Sequence, residues 1–407
     1  MTGRRQTIIN KLSILLLFLI FVFPLSSREA EKETFEVVAT IPVETTLGKA
    51  GTENPADTWV KMIEGAKKTI DLGHFYMETK ENEPLERVIQ ALIDAAGRGV
   101  RVRILVGTAV NASMAENTNA VLSRFKDRQN IEITSFNWKE LTGGIIHAKY
   151  MIVDSCDVYI GSQNFDWRAL KHIHETGLHI KSIAFGTALS QIFEADREYN
   201  RGDKTAYQKL PKYPWVSFKN GNFLVGSPDE YNPPSVKSAI KTLVDLIDHA
   251  KKKITIQLLD YSTDIPRSEE KFTAIDNALR RAAARGVQVR LLVSDWNKDK
   301  PEVESIQALA KLKNFEVKFA TIPEFSGGYI PYARVIHSKV MRIDDTISWV
   351  GTSNWGYGYF YKSRDVEVVT HIKEVARVLD QLFNELWKSS YTYFVDPAKE
   401  YTPPKHN

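Results

Sequence analysis

A chain of 407 residues with 43% hydrophobic and 26% charged side chains has too much apolar material to stay disordered and too many residues for one ordinary core. Its formal charge is +4, but Arg4, Arg5 and Lys11 account for three of those units, so the body is close to neutral. That excludes a long electrostatic track along a nucleic-acid duplex and leaves room only for a local basic cleft.

The N-terminus reads "MTGRRQTIINKLSILLLFLIFVFPLSS". A basic start precedes an uncharged run from Leu12 to Ser27, with Pro24 near its end. This is the layout of a secretory signal peptide over residues 1–27, and the run is short for a full membrane span. Leu25 stands where a smaller residue is commoner before cleavage, so the alternative is an uncleaved anchor over residues 12–27. Both readings expect an exported protein, secreted or periplasmic, and the second adds membrane association through this segment.

Hydrophobic periodicity then predicts a helix around 56–67, a strand at 69–77, a helix at 84–97 and the strand "VRVRILV". A strand near 131–137 comes next, followed by "IIHAKYMIVD" at 145–154. Read as a strand, this segment places His147 and Lys149 on one face and gives Asp154 the opposite parity. The segments "VYIGSQN" and "HETGLHI" and an amphipathic helix near 186–199 close the series. Cys156, in the turn after Asp154, is the one cysteine, so no intramolecular disulfide forms; it reads as inert rather than nucleophilic. Residues 200–214, "NRGDKTAYQKLPKYP", are polar and Pro-punctuated and read as a linker. Beyond it the order recurs: helix 236–251, strand 254–260, helix 270–285, strand 287–293, strand 315–321, "VIHSKVMRID" and a helix at 373–388.

The recurrence is a duplication. His147, Lys149, Asp154, Gly161, Ser162, Asn164 and Glu175 are matched, 190 positions on, by His337, Lys339, Asp344, Gly351, Thr352, Asn354 and Asp365. Upstream, "KKTIDLGHFY" ending at Tyr76 resembles "KKITIQLLDY" ending at Tyr261, and "AAGRGVRVRILVG" resembles "AAARGVQVRLLVS". Strands alternating with helices, twice over, predict an α/β protein of two tandem sandwich domains, 28–205 and 206–407.

Each copy has the form H-x-K-x4-D-x6-G-[ST]-x-N, with an acid eleven residues later. An imidazole can attack an electrophile while the lysine beside it supplies fixed positive charge. The Asn amides and the Ser162 and Thr352 hydroxyls add hydrogen-bond donors. Should the halves meet face to face, two imidazoles, two ammonium groups and two amides surround one point, which suits the oxygens of a phosphodiester. One histidine then serves as nucleophile and the other as acid, then base. Asp154 and Asp344, with the opposite parity, read as structural ties between strand end and neighbouring backbone. No carboxylate cluster has metal-ligand spacing, so neither metal nor other cofactor is called for. "HIHE" at 172–175 reads as strand rather than as a metal site.

This duplicated motif resembles that of the phospholipase D superfamily, and the resemblance covers residues 35–390. It implies two α/β/α sandwich domains with the active site at their interface, and a covalent phosphohistidine. By the same analogy His147 is the nucleophile and His337 the leaving-group acid. Lys149, Lys339, Asn164 and Asn354 hold phosphoryl oxygens. Each histidine is oriented by the other half's acid, Asp365 for His147 and Glu175 for His337. Glu367 rivals Asp365 for that place, and equal spacing favours Asp365.

The second half, with "GTSNW" and "ALRRAAARGVQVRLLVSDW", resembles the branch of lumenal single-strand exonucleases and poxvirus envelope-type relatives. The paired cysteines of that branch are missing here. Single-stranded nucleic acid held by its end is therefore the expected substrate. The alternative is a phospholipase D or phosphatidyl transferase acting on lipid headgroups, which export and the aromatic "WGYGYFY" at 355–361 also suit. The third reading, a non-catalytic membrane-associated binding protein, fits poorly with two intact motifs. Both motifs lie in one chain, so no obligate protein partner is implied.

Overall fold

The computed structural model describes residues 33–210 and 221–405. The N-terminal segment read as signal peptide or anchor lies outside the described residues, as does most of the C-terminal part of the linker. Among the described residues no helix is long and apolar enough to cross a membrane.

Two sheets carry the fold. The first has seven strands in the order Thr34–Thr40, Glu175–Lys181, Asp157–Gly161, Tyr150–Val153, Thr69–His74, Arg101–Gly107, Ile131–Phe136. The second has nine and repeats the central order with Phe223–Ser227, Asp365–Thr370, Ile347–Gly351, Val340–Ile343, Lys253–Leu258, Gln288–Ser294 and Phe315–Ala320. In each sheet the three strands alternating with helices run parallel, and the hairpin that follows the His-Lys segment runs antiparallel. Central strands such as "RILV" are apolar on consecutive positions because both faces are covered.

The helices form where the periodicity places them. Asn54 caps Pro55–Gly65 by accepting from Ala56 N, and Ser182 caps Ile183–Asn200 by accepting from Phe185 N. Leu85–Gly97 buries Leu85, Val88, Ile89, Leu92 and Ala96, one face of a 3.6-residue repeat. It packs with Pro55–Gly65 on the outer face of the first sheet, as Ala239–His249 and Ala274–Ala284 do on the second. The inner faces share one core. Ile160 and Leu178 of the first sheet join Val350 and Val366 of the second, with Phe185 and Leu189 from Ile183–Asn200 and Leu379 from Lys373–Lys388.

Three expectations are refined. The strands of the two motifs begin only at Tyr150 and Val340, so His147, Lys149, His337 and Lys339 lie in the extended lead-in rather than on the strand. The start of that lead-in pairs with the other half, where Ile146 bridges Arg364 and Ile336 bridges His174, while its end still accepts from its own sheet, Lys149 O from Gly161 N and Lys339 O from Gly351 N. The upstream offset is 184, not one that ends by matching Tyr76 to Tyr261. Ile70 lies opposite Val153 as Ile254 lies opposite Ile343, which makes Asp260 the counterpart of Tyr76. The strand Thr34–Thr40 and the helices Ala112–Ser123 and Glu302–Ala310 are additional to the predicted elements.

Candidate active site

The two lead-in segments approach each other through the backbone. His147 N donates to Arg364 O at 2.9 Å and Arg364 N to Ile145 O at 2.9 Å. On the other side His337 N donates to His174 O at 2.8 Å, and His174 N to Val335 O at 2.9 Å. Gly144 permits the first approach, because a Cβ there would collide with the Lys362 carbonyl. The seam is locked by Arg364, fully buried, whose guanidinium bonds Asp196 at 2.8 and 3.2 Å from the opposite half.

These contacts carry each imidazole to the other half's acid. His147 Nδ1 lies 2.8 Å from Asp365 Oδ1, and His337 Nδ1 lies 2.9 Å from Glu175 Oε2. Both carboxylates are fully buried. A carboxylate accepting from Nδ1–H puts the lone pair on Nε2, the tautomer a nucleophile needs. Glu367, the rival of Asp365, receives the Ser353 hydroxyl instead. Burial pushes it well above the ordinary carboxylate range, and the neighbouring Asp365 charge adds to this.

Lys149 and Lys339 are fully buried, and each ammonium donates to the carbonyl of the histidine two residues earlier. Burial lowers Lys339 to about 8 against the pull of Glu175, Asp260 and Asp365. It takes Lys149 well below the ordinary lysine value, with Asp365 opposing. Burial and the Lys149 charge push His147 down to about 3, while His337 is lowered by burial, against Glu175. Glu175 is pushed up by burial, but His337 and Lys339 more than offset this and hold it below its usual value. An anion entering the site would relieve the strain of two buried ammonium groups.

Asn164 and Asn354 are buried, and the Oδ1 of each has no hydrogen-bond partner among the described residues. Asn354 Nδ2 faces Asp260 Oδ2 at 3.4 Å. Thr352 Oγ1 donates to Asp365 Oδ1 at 2.6 Å, and Ser162 Oγ donates to Thr176 O at 3.1 Å. A hydroxyl has one proton to give; that of Thr352 goes to the acid beside His147, and that of Ser162 to the backbone next to Glu175. Asp154 accepts from the amides of Lys67, Lys68 and Thr69 at 2.7 to 2.9 Å, and Asp344 from those of Lys251, Lys252 and Lys253 at 2.7 to 3.3 Å.

Two side chains outside the motif belong to the site. Phe75 and Tyr359 flank the His147 ring with centroids at 5.5 and 5.0 Å. Tyr359 lies in "WGYGYFY", which folds as a short helix, Tyr357–Tyr361, after the buried Trp355. The segment is thus packing at Trp355 and Phe360 and site wall at Tyr359; only its position after Asn354 signalled the latter. Of "HIHE", His174 lies 3.1 Å from Gln257 Nε2 and 3.3 Å from Ser338 Oγ, and His172 packs on Phe325. Among the described residues no three His, Cys, Asp or Glu side chains are grouped to hold a metal ion.

A family model described as "Cardiolipin synthase, PLD-like domain" matches the chain twice, over residues 59–197 and 243–387. The chain is 31% identical over 371 residues to "Phospholipase D Z" of Dictyostelium discoideum, covering 83% of this chain and 85% of that one. It is 30% identical over 401 residues to "5'-3' exonuclease PLD3" of Xenopus laevis, covering 88% and 80%. Among solved structures, phosphatidylserine synthase of Haemophilus influenzae Rd KW20 superposes with a TM-score of 0.60 at 13% identity, over 84% of this chain and 85% of that one, which is a likeness of fold.

Proposed function

The chain belongs to the phospholipase D superfamily, as a phosphodiesterase, and on that premise we propose that it cleaves single-stranded nucleic acid from an end through a covalent phosphohistidine. The observation that carries the mechanism is the reciprocal pair of His–carboxylate bonds, 2.8 and 2.9 Å, each crossing from one half to the other. His147 Nε2 attacks phosphorus and forms the P–N bond as the P–O bond to the leaving group breaks. His337 gives its proton to the departing oxygen. It then takes a proton from water, whose oxygen attacks phosphorus, breaks the P–N bond and frees His147. Lys149, Lys339, Asn164 and Asn354 hold the phosphoryl oxygens, and Glu175 and Asp365 keep the rings oriented. Ser162 and Thr352 position the acids, and Asp154 and Asp344 brace the strands.

The substrate reading rests on likeness to relatives named as 5'-3' exonucleases, over most of both chains. The relatives named phospholipase D favour the second reading, a lipid headgroup. We place the domain boundary between residues 205 and 206 and infer export, with residues 1–27 as signal peptide or anchor. A side-by-side assay of residues 28–407 on a single-stranded oligonucleotide and on phosphatidylcholine vesicles separates the substrates. We expect nucleotide release only, and turnover of lipid alone reverses the assignment. The His147→Ala protein should lose at least about 10³-fold in rate; undiminished turnover would remove His147 as the nucleophile.

A further inference from the structure

The pseudo-twofold relation of the halves fails at one place beside the reaction centre. In the first half Tyr76, Glu78, Asp166 and Arg168 interlock. Tyr76 Oη donates to Asp166 Oδ2 at 2.6 Å, and Arg168 bonds Asp166 at 2.7 to 3.0 Å and Glu78 at 2.5 Å. The register makes Asp260, Ser262, Gly356 and Gly358 their counterparts: Met77 pairs with Phe165 as Tyr261 pairs with Trp355. Four interlocked side chains are replaced by a short acid, a serine and two glycines. Where the first half is plugged, the second holds a cavity of about 350 Å³.

Its walls are Asp260, Asp299 and Glu302 with the rings of Trp296, Trp355 and Tyr359. It adjoins the reacting groups on two sides, since Tyr359 also packs on His147 and Asp260 faces the Asn354 amide. Next to it Asn354, whose amide nitrogen faces Asp260, has an Oδ1 with no hydrogen-bond partner among the described residues. A carboxylate and an amide oxygen in need of donors, between flat rings, call for a hydroxyl- or amine-bearing planar group. A trimethylammonium headgroup would suit the rings and the acids but would leave Asn354 Oδ1 without a donor, and a second phosphate would meet three carboxylates.

We propose that this cleft is a nucleoside subsite, taking one substituent of the scissile phosphodiester, and that Asp260 is its specificity-determining residue. The inference rests on the phosphodiesterase reading and deepens it. The substituent enters on the second-half side because the equivalent space in the first half is occupied by Tyr76 and Arg168. Asp260 and Asn354 Oδ1 accept from its donors while the rings cover its faces.

The test uses three chromogenic diesters: thymidine with a 4-nitrophenyl phosphate at its 3' or 5' oxygen, 4-nitrophenyl phosphorylethanolamine, and bis(4-nitrophenyl) phosphate, which has no donor. For the wild type we expect the highest kcat/KM on one thymidine ester. Asp260→Asn should lower that value about 10- to 100-fold, chiefly through KM. Gly356→Leu fills the cleft without touching Asp260. A Cβ at Gly356 meets nothing closer than 3.8 Å and its φ is −149°, so the variant is expected to fold. It should raise KM for the thymidine ester at least tenfold and spare the bis-aryl ester. Equal losses on both esters in Gly356→Leu would overturn the subsite, as would a wild-type preference for the ethanolamine ester that Asp260→Asn abolishes. No wild-type turnover of any ester would instead sink the underlying phosphodiesterase reading.

Discussion

His147 and His337 make the same bond to a buried carboxylate, yet their surroundings differ. His147 lies between Phe75 and Tyr359, next to the Lys149 ammonium, and is pushed down to about 3. His337 is lowered from 6.5 by burial, with Glu175 opposing. A nucleophile must be neutral, and His147 stays so down to about pH 3. An acid must be protonated, and the protonated fraction of His337 falls as pH rises through its lowered value. We therefore expect kcat/KM on an oligonucleotide to rise as pH is lowered from 8 to 5 and to fall again only near 3. Lys339, at about 8, adds a further loss above that pH as its charge disappears. A profile flat from pH 5 to 8 contradicts the assignment of His337 as acid.

At the scale of elements, the two motif aspartates work as clamps. Asp154 sits in the left-handed region at φ 49° and takes three consecutive amides at the start of Thr69–His74, and Asp344 does the same for Lys253–Leu258. Replacing Asp154 by Ala orphans those amides and adds strain at a positive φ. We expect a loss of about 1–3 kcal/mol in urea unfolding, with KM little changed. A stability within about 0.3 kcal/mol of wild type would show the clamp to be dispensable. Much of this was legible in the sequence. His, Lys and Asn keep their residue type in both copies and the acid keeps its charge, so a shared 190-residue spacing exposed them together as a candidate site. Their helices and strands followed from periodicity. The edge strand Thr34–Thr40 was not legible, because it is placed by pairing with Glu175–Lys181 far along the chain. Nor was the cleft at Asp260, since it consists of side chains that are missing, and the sheet register alone reveals which ones. Ser162 and Thr352 were legible as members of the repeated set, but the partners of their hydroxyls, Thr176 O and Asp365 Oδ1, were not.

The whole molecule supplies the charge that a phosphoryl group requires. Lys149 and Lys339, 190 positions apart in the chain, are near enough for the Lys339 charge to act on Lys149. With both ammonium groups buried there, millimolar EDTA should leave the rate on a single-stranded oligonucleotide within about twofold. Strong inhibition reversed by zinc or calcium would show that the lysines do not suffice. The halves are held in register by the shared core and by Arg364 against Asp196.

Because each half keeps the acid that its sister's imidazole depends on, neither copy of the motif can be tuned in isolation. A slip along the seam of about an ångström would misalign the attacking and the protonating ring together. Heat or denaturant that loosens this junction should then silence the enzyme while both sheets are still intact.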